Sequence, residues 1–337
     1  MRKQKKIVFL CQANREQLLK NNNNNSSPDT ILFGLNRIKN YNIIFTGWPK
    51  SFIGRVIAHF SFSTYAIIIA IRHINADLLI IQDPFWILGI LRKLRILPPT
   101  IFLNIAIYAT IQKSNLLSRK IISYAVKGFD LTILLRKKYP PFYNSFKGKT
   151  YFLPLGIDVE FYKINKKYKQ ENFILSLGGS KKYSNDYNAI IEFAKRIKNK
   201  IILVTPEGDV KDKLPNNIEL RERIPRIAVR DLYRKCSCGI ILFKKDPTNQ
   251  FYGGQTSILE FLAHNKPIIT NYQEWIKDYN LDNNSNIIIV NNISEAVNAI
   301  KNIKKNSSRK LIEAKFSTKK VALEMKKIIN SFVVNKY

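Results

Sequence analysis

Short uninterrupted apolar runs alternate along the chain with longer stretches of helical spacing. The runs at Ile7–Cys11, Leu78–Gln82, Thr100–Tyr108, Phe129–Leu135, Phe173–Gly179, Lys200–Pro206 and Asn286–Val290 are mostly Ile, Leu, Val and Phe. Runs of this length bounded by turn residues predict strands buried on both faces. Between them, TILFGLNRIKN, the aromatic stretch Ser51–His73, Ser118–Lys127, Ala189–Lys198, IPRIAVRDLYRKCSCGIILF up to its apolar end, and Ala296–Ile300 have helical spacing. Val321, Met325, Ile328, Ile329 and Phe332 repeat at helical intervals in Phe316–Phe332 and predict a final helix. Strand and helix in alternation predict α/β architecture with parallel sheets. The polar stretch Gln12–Asp29, with five consecutive asparagines, predicts a mobile loop or a low-complexity insertion.

Three loops stand where the pattern changes from strand to helix. Phe251–Thr270 reads FYGGQTSILEFLAHNKPIIT: two glycines, an apolar helix around Glu260, a stop at Asn265 and Pro267, then a strand. Gly253 and Gly254 let a ligand approach the backbone, and the amides of Gln255, Thr256 and Ser257 at the helix start suit a phosphate. Glu260 among apolar neighbours needs hydrogen-bond donors, which a ribose diol supplies; alternatively Thr256 or Ser257 caps the helix and Glu260 lies on a solvated face. Gly178 and Gly179 open a second strand–glycine–helix unit, whose loop holds Lys181 and Lys182 as phosphate ligands or as solvated charges. Asp83, before Pro84 at the carboxyl end of an apolar run, is either a catalytic or acceptor-site carboxylate or a turn residue. Tyr65, Phe85 and Trp86 are further acceptor-side candidates.

The segments FLPLGIDVEF, LSLGG…NDYNAIIEF and GGQTSILEFLAHNKPIIT, in this order, resemble those of the retaining glycosyltransferases of family 4 and their relatives. The resemblance implies the GT-B fold: two Rossmann-like domains with a cleft between them, at 1–158 for the acceptor and 159–315 for the donor nucleotide. A C-terminal helix, 316–337, returns to the first domain. Pro154, Gly156, Ile157, Asp158 and Phe161 match the exit of the first domain, and Leu232 and Tyr233 match the helix before the donor loop. The family's Glu, seven residues, Glu pattern puts its ribose-binding Glu at Glu260, whereas its first Glu falls on Tyr252. Asn185 stands where the family has a basic residue, so that Lys181 or Lys182 takes over the charge on the donor diphosphate; Lys182 is a catalytic candidate on this ground, and Asp83 on its place at the strand end. Gly178, Gly179, Lys181, Lys182, Tyr252, Gly253, Gly254, Gln255, Thr256, Ser257 and Glu260 make up the implied donor site. The co-substrate is a nucleoside diphosphate sugar of UDP or GDP type, with no other cofactor and no metal.

Composition adds a partner. The 337 residues carry a formal charge of +32 from 56 Lys and Arg against 24 Asp and Glu, enough to draw the protein to polyanions. An anionic membrane surface bearing a lipid-linked or growing surface glycan is the expected acceptor environment, and a solvated basic surface is the plain alternative. A nucleic-acid-binding protein is the competing class, without a recognised module or a concentrated basic stripe; a GT-B sugar-nucleotide epimerase keeps the fold and changes the reaction. Cys11, Cys236 and Cys238 have no zinc spacing and are expected to be buried in a reducing, cytoplasmic setting. The uncharged stretches Val56–Ile71 and Ile96–Gln112 contain polar residues or prolines and are not expected to span a membrane.

Overall fold

The computed structural model describes residues 4–11, 14–46, 62–82, 85–104, 111, 114–137, 150–164, 168–178, 185–210, 213–244, 253–304 and 306–333. The chain forms two compact units. One comprises Met1–Asn24, Asp29–Gly156 and Thr318–Tyr337, the other Asn25–Pro28 and Ile157–Ser317.

The first unit is built on a six-stranded sheet of β1 (Lys6–Leu10), β2 (Asn42–Phe45), β3 (Leu78–Gln82), β4 (Thr100–Asn104), β5 (Leu131–Leu134) and β6 (Thr150–Phe152). Its order is β2-β1-β3-β4-β5-β6, and all its neighbours are parallel. Ile7 pairs with Leu78 and Leu79 with Thr100, so the central apolar runs lie side by side. Every residue of β4 is buried, as covering of both sheet faces requires.

Two expectations change in this unit. Gln12–Asp29 contains the helix Arg15–Asn23, where the Asn14 side chain accepts from the Gln17 amide at 3.0 Å. Arg15 is buried and donates to Gln82 Oε1 at 3.1 Å, a tie to β3 that composition does not reveal. TILFGLNRIKN is not one helix but two single 3₁₀ turns, Thr30–Leu32 and Leu35–Arg37, broken by Phe33 and Gly34 at φ 52° and 70°. The break lets another element approach: a Cβ on Gly34 would lie 2.6 Å from the Ala322 nitrogen. Ala322 belongs to the helix Thr318–Val333, whose Asn330 Oδ1 accepts from the Tyr41 hydroxyl at 2.5 Å and whose Glu324 accepts from the Tyr151 hydroxyl at 3.1 Å. The C-terminal helix therefore packs within the first unit.

The second unit holds β7 (Phe173–Leu177), β8 (Lys200–Thr205), β9 (Ile218–Glu222), β10 (Cys238–Ile241), β11 (Ile268–Thr270) and β12 (Ile287–Ile289). Their order is β12-β11-β10-β7-β8-β9, again entirely parallel. Read outward from β7, the chain first winds to one side and then to the other, the dinucleotide-binding topology. One face of this sheet packs Ile174, Ile201, Cys238, Ile240 and Ile269 against Ile190, Phe193, Ala194 and Ala296 of the covering helices. All three cysteines are buried thiols, and burial pushes Cys238 up to about 11. The strand β9 and the helices Glu274–Asp278 and Arg309–Phe316 were not expected, being short or mixed in polarity.

Candidate functional site

In the second unit the winding reverses between β7 and β10, and the crevice beyond the carboxyl ends of two such strands is where open α/β sheets bind ligands. Both glycine loops start there. After β7, Gly178 donates its amide to the Val204 carbonyl at 2.8 Å, and a Cβ on it would lie 2.3 Å from the Tyr187 hydroxyl. Gly178 is thus required by a protein neighbour, and burial pushes that tyrosine up to about 12. Asn185 is buried and forms an antiparallel bridge with Phe243, while the Asp186 amide donates to the Leu242 carbonyl at 2.9 Å. Where the resemblance placed a basic side chain, this chain has an asparagine that joins the end of the first loop to the continuation of β10. Asp186 then caps the helix Tyr187–Lys195 by accepting from the Ala189 amide at 3.0 Å.

The second loop is held from three directions. Trp275, fully buried, donates Nε1–H to the Gly253 carbonyl at 2.7 Å. Asn271 accepts from the Phe243 amide at 3.0 Å and donates to the Phe243 carbonyl at 2.8 Å. Gly254 stands at φ 72° with the Phe243 ring 2.5 Å from where a Cβ would lie, so conformation and packing both require glycine. Gly254 is also the N-cap of the helix Gln255–Ala263, and it has no side chain with which to cap it. The amides of its first turn lack intrahelical acceptors by construction. Thr256 and Ser257 are half-buried; Gln255 is buried, and its Nε2 has no hydrogen-bond partner among the described residues.

Glu260 is 1% exposed, and protein groups satisfy it: the Tyr162 hydroxyl donates to Oε1 at 2.5 Å and the Tyr233 hydroxyl to Oε2 at 2.6 Å. It is not on a solvated face, and Thr256 and Ser257 make no cap. Donors that burial demands are supplied by the two tyrosines. Burial, reinforced by the Glu260 charge, drives both tyrosines well above their ordinary range. The same carboxylate raises the Arg226 guanidinium at the start of the helix Arg226–Lys235. The His264 ring stacks on Tyr233 at 5.2 Å, with its Nδ1 2.9 Å from the Glu260 carbonyl oxygen. Tyr233 is one of the residues that match the family; Tyr162 is not one of them, although it directly follows the matched Phe161.

Gly178 thus follows the carboxyl end of β7, while Gly254 packs on Phe243 just beyond β10 and opens the helix that carries Gln255, Thr256, Ser257 and the buried Glu260. Asp83, Gly179, Lys181, Lys182 and Tyr252 lie outside the described residues. In the first unit Tyr65 and Phe85 are buried and Trp86 is half-buried. Among the described residues no group of three or more His, Cys, Asp or Glu could hold a metal ion, and no helix is long and apolar enough to cross a membrane.

No family model and no curated protein matches the chain. Solved structures do. Sucrose-phosphate synthase from Thermosynechococcus elongatus superposes with a TM-score of 0.69 at 10% identity, over 98% of this chain and 100% of that one. Anabaena HepE in complex with UDP superposes with a TM-score of 0.71 at 12% identity, over 97% and 100%. AviGT4, a glycosyltransferase involved in avilamycin A biosynthesis, gives 0.63 at 10% identity, over 98% of each chain. At such identities the likeness shows the fold. It is the GT-B fold: two parallel six-stranded Rossmann-like sheets with covering helices.

Proposed function

We propose that the chain is a glycosyltransferase that moves a sugar from a nucleoside diphosphate sugar, with retention at the anomeric carbon, to a lipid-linked or cell-surface glycan at the cytoplasmic face of an anionic membrane. The observation that carries the reading is the start of the helix Gln255–Ala263, whose N-cap is Gly254 and which follows β10 in a sheet whose strand order reverses between β7 and β10. First-turn amides behind a glycine N-cap, in a sheet of this topology, suit the diphosphate of a nucleotide sugar. The bridge between Asn185 and Phe243 supports it by tying the loop that contains Lys181 and Lys182 to the same strand end. HepE, of like fold, was solved with UDP, with UDP-glucose, and with UDP and glucose, which makes a uridine nucleotide the first ligand to try.

In this reading the bond from the anomeric carbon to the diphosphate breaks and leaves negative charge on the departing oxygen. The helix amides and one of the two lysines stabilise that charge where it develops. The acceptor hydroxyl adds to the same face of the sugar, and its proton passes to the departing phosphate. Asp83, just after β3, is the acceptor-side carboxylate. Glu260 contributes by fixing the helix, since it is 1% exposed and each of its oxygens accepts from a buried tyrosine.

The test is a thermal-shift titration against UDP, GDP, ADP and CMP, with a Lys181→Ala/Lys182→Ala double variant alongside. Specific binding to the folded state adds about 2.7 kcal/mol of stability at a hundredfold excess over Kd. One nucleotide should stabilise the native protein and require at least about tenfold more ligand with the variant, a loss of ~1.4 kcal/mol. Indifference to all four nucleotides would sink the reading.

A further inference from the structure

The outer face of the helix Leu116–Val126 is built the wrong way round for a surface in water. Its inner residues Ile122, Ala125 and Val126 are buried, yet outward it presents Leu116 at 69% exposure, Leu117 at 68%, Tyr124 at 51% and Ile121 at 43%. An isolated exposed leucine is ordinary; four large apolar side chains on one helix face form a patch that calls for a partner. At the Tyr124 end the patch continues, since Lys93 lies over the Tyr124 ring at 3.6 Å and is followed by Leu94 at 64% exposure, Arg95, and Ile96 at 43%.

The charges around the patch say what the partner is. Arg119, Lys120 and Lys127 are exposed on the same helix, as are Lys93 and Arg95 at its end. Between Asp83 and Asp158 the sequence has one acid, Asp130, and Arg92 already binds both of its carboxylate oxygens at 2.8 Å. The helix is held firmly from behind. A Cβ on Gly89 would lie 1.9 Å from the Ala125 carbonyl oxygen, and one on Gly128 2.0 Å from that of Gly89, so the helices Leu88–Lys93 and Leu116–Val126 meet backbone to backbone. The apolar face is therefore presented by a rigid platform.

We propose that this face docks on a lipid bilayer with anionic headgroups, Leu116, Leu117, Ile121 and Leu94 entering the interface while the lysines and arginines meet lipid phosphates. Apolar residues flanked by basic ones on a short amphipathic helix are the chemistry of peripheral binding. The assignment deepens the membrane part of the function proposed above, and rests on it, by naming the surface that makes the contact.

The experiment is vesicle co-sedimentation of the full chain with phosphatidylcholine alone and with added phosphatidylglycerol, at low and high salt. Leu116→Ser/Leu117→Ser and Lys120→Glu/Lys127→Glu are run in parallel, with circular dichroism and the UDP thermal shift measured on every sample. The native chain should prefer anionic vesicles and lose that preference in salt, and each double variant should bind at least about tenfold more weakly with its fold intact. A native chain that does not distinguish the two vesicles overturns the membrane contact. Preference for anionic vesicles that both variants retain overturns this face while leaving the membrane reading in place. A native dimer that Leu116→Ser/Leu117→Ser turns into monomer, without vesicle preference, assigns the face to a second copy instead. The UDP shift on the same samples reports separately on the donor site.

Discussion

The Tyr162 hydroxyl donates to Glu260 across 98 positions of sequence at 2.5 Å, and both residues are buried. Tyr233 completes the pair of donors. Glu260→Ala removes the acceptor and leaves two buried hydroxyls without partners, at about 1–3 kcal/mol each. We expect a loss of about 3 kcal/mol in chemical denaturation. Tyr162→Phe and Tyr233→Phe should each cost about 2 kcal/mol, as removal of a hydrogen bond to a charged group does. If Glu260→Ala proves as stable as the native chain, the carboxylate does not have the structural role argued above.

Acid should loosen the same cluster. Burial pushes the His264 imidazole down to about 3, and Nδ1, facing the Glu260 carbonyl, carries its single proton. The unfolded chain takes up a second proton near pH 6.5 and the folded one does not. The contribution of this group is therefore complete above pH 6.5 and lost as pH falls toward 3, about 3 kcal/mol being gone at pH 4. His264→Phe keeps a ring against Tyr233 and removes the titration. Urea midpoints from pH 7 to pH 4 should fall more steeply for the native protein than for this variant.

Asn265 ends the helix Gln255–Ala263 at φ 54°, and its Oδ1 accepts from the amides of Ser308 at 2.8 Å and Arg309 at 2.7 Å. Asn265→Ala loses both bonds and keeps a strained backbone, for an expected cost of about 2–3 kcal/mol. Asn265→Gly removes the strain but not the bond loss and should fall between the native protein and the alanine variant. Equal stability of the two variants would mean that φ has no weight here.

Gly89→Ala forces apart the two helices under the proposed membrane face, since the added carbon would overlap the Ala125 carbonyl. Overpacking typically costs 1–3 kcal/mol; with backbone as the obstacle we expect about 3. Vesicle binding should weaken with it as the platform shifts. An unchanged denaturation midpoint would show that the helices separate without penalty.

At the donor loop, Gly254→Ala places a side chain in a left-handed conformation and against the Phe243 ring. A stability loss of about 1–2 kcal/mol is expected. The nucleotide titration should require at least about tenfold more ligand, because the loop and the helix start move together. Native affinity in this variant would remove Gly254 from the site.

The apolar runs alone determined most strands and the α/β class, because a strand covered on both faces must be apolar throughout and a helix covered on one must not. The segments around Pro154–Asp158, Gly178 and Gly254 carried the expectation of two Rossmann-like halves through their resemblance to the family 4 glycosyltransferases, and their turns and helix starts were legible because neighbours in sequence specify them. What neighbours could not determine, the tertiary structure decided. The helix Arg15–Asn23 lies in a polar, asparagine-rich stretch and is secured by the tie from Arg15 to Gln82. The break at Phe33 and Gly34 exists because Ala322 approaches there. Glu260 was legible as a carboxylate in need of donors, but their identity depended on Tyr162 and Tyr233 arriving from distant segments. A buried charge fixes how many partners it must have, and only the packing of the chain chooses which residues they are.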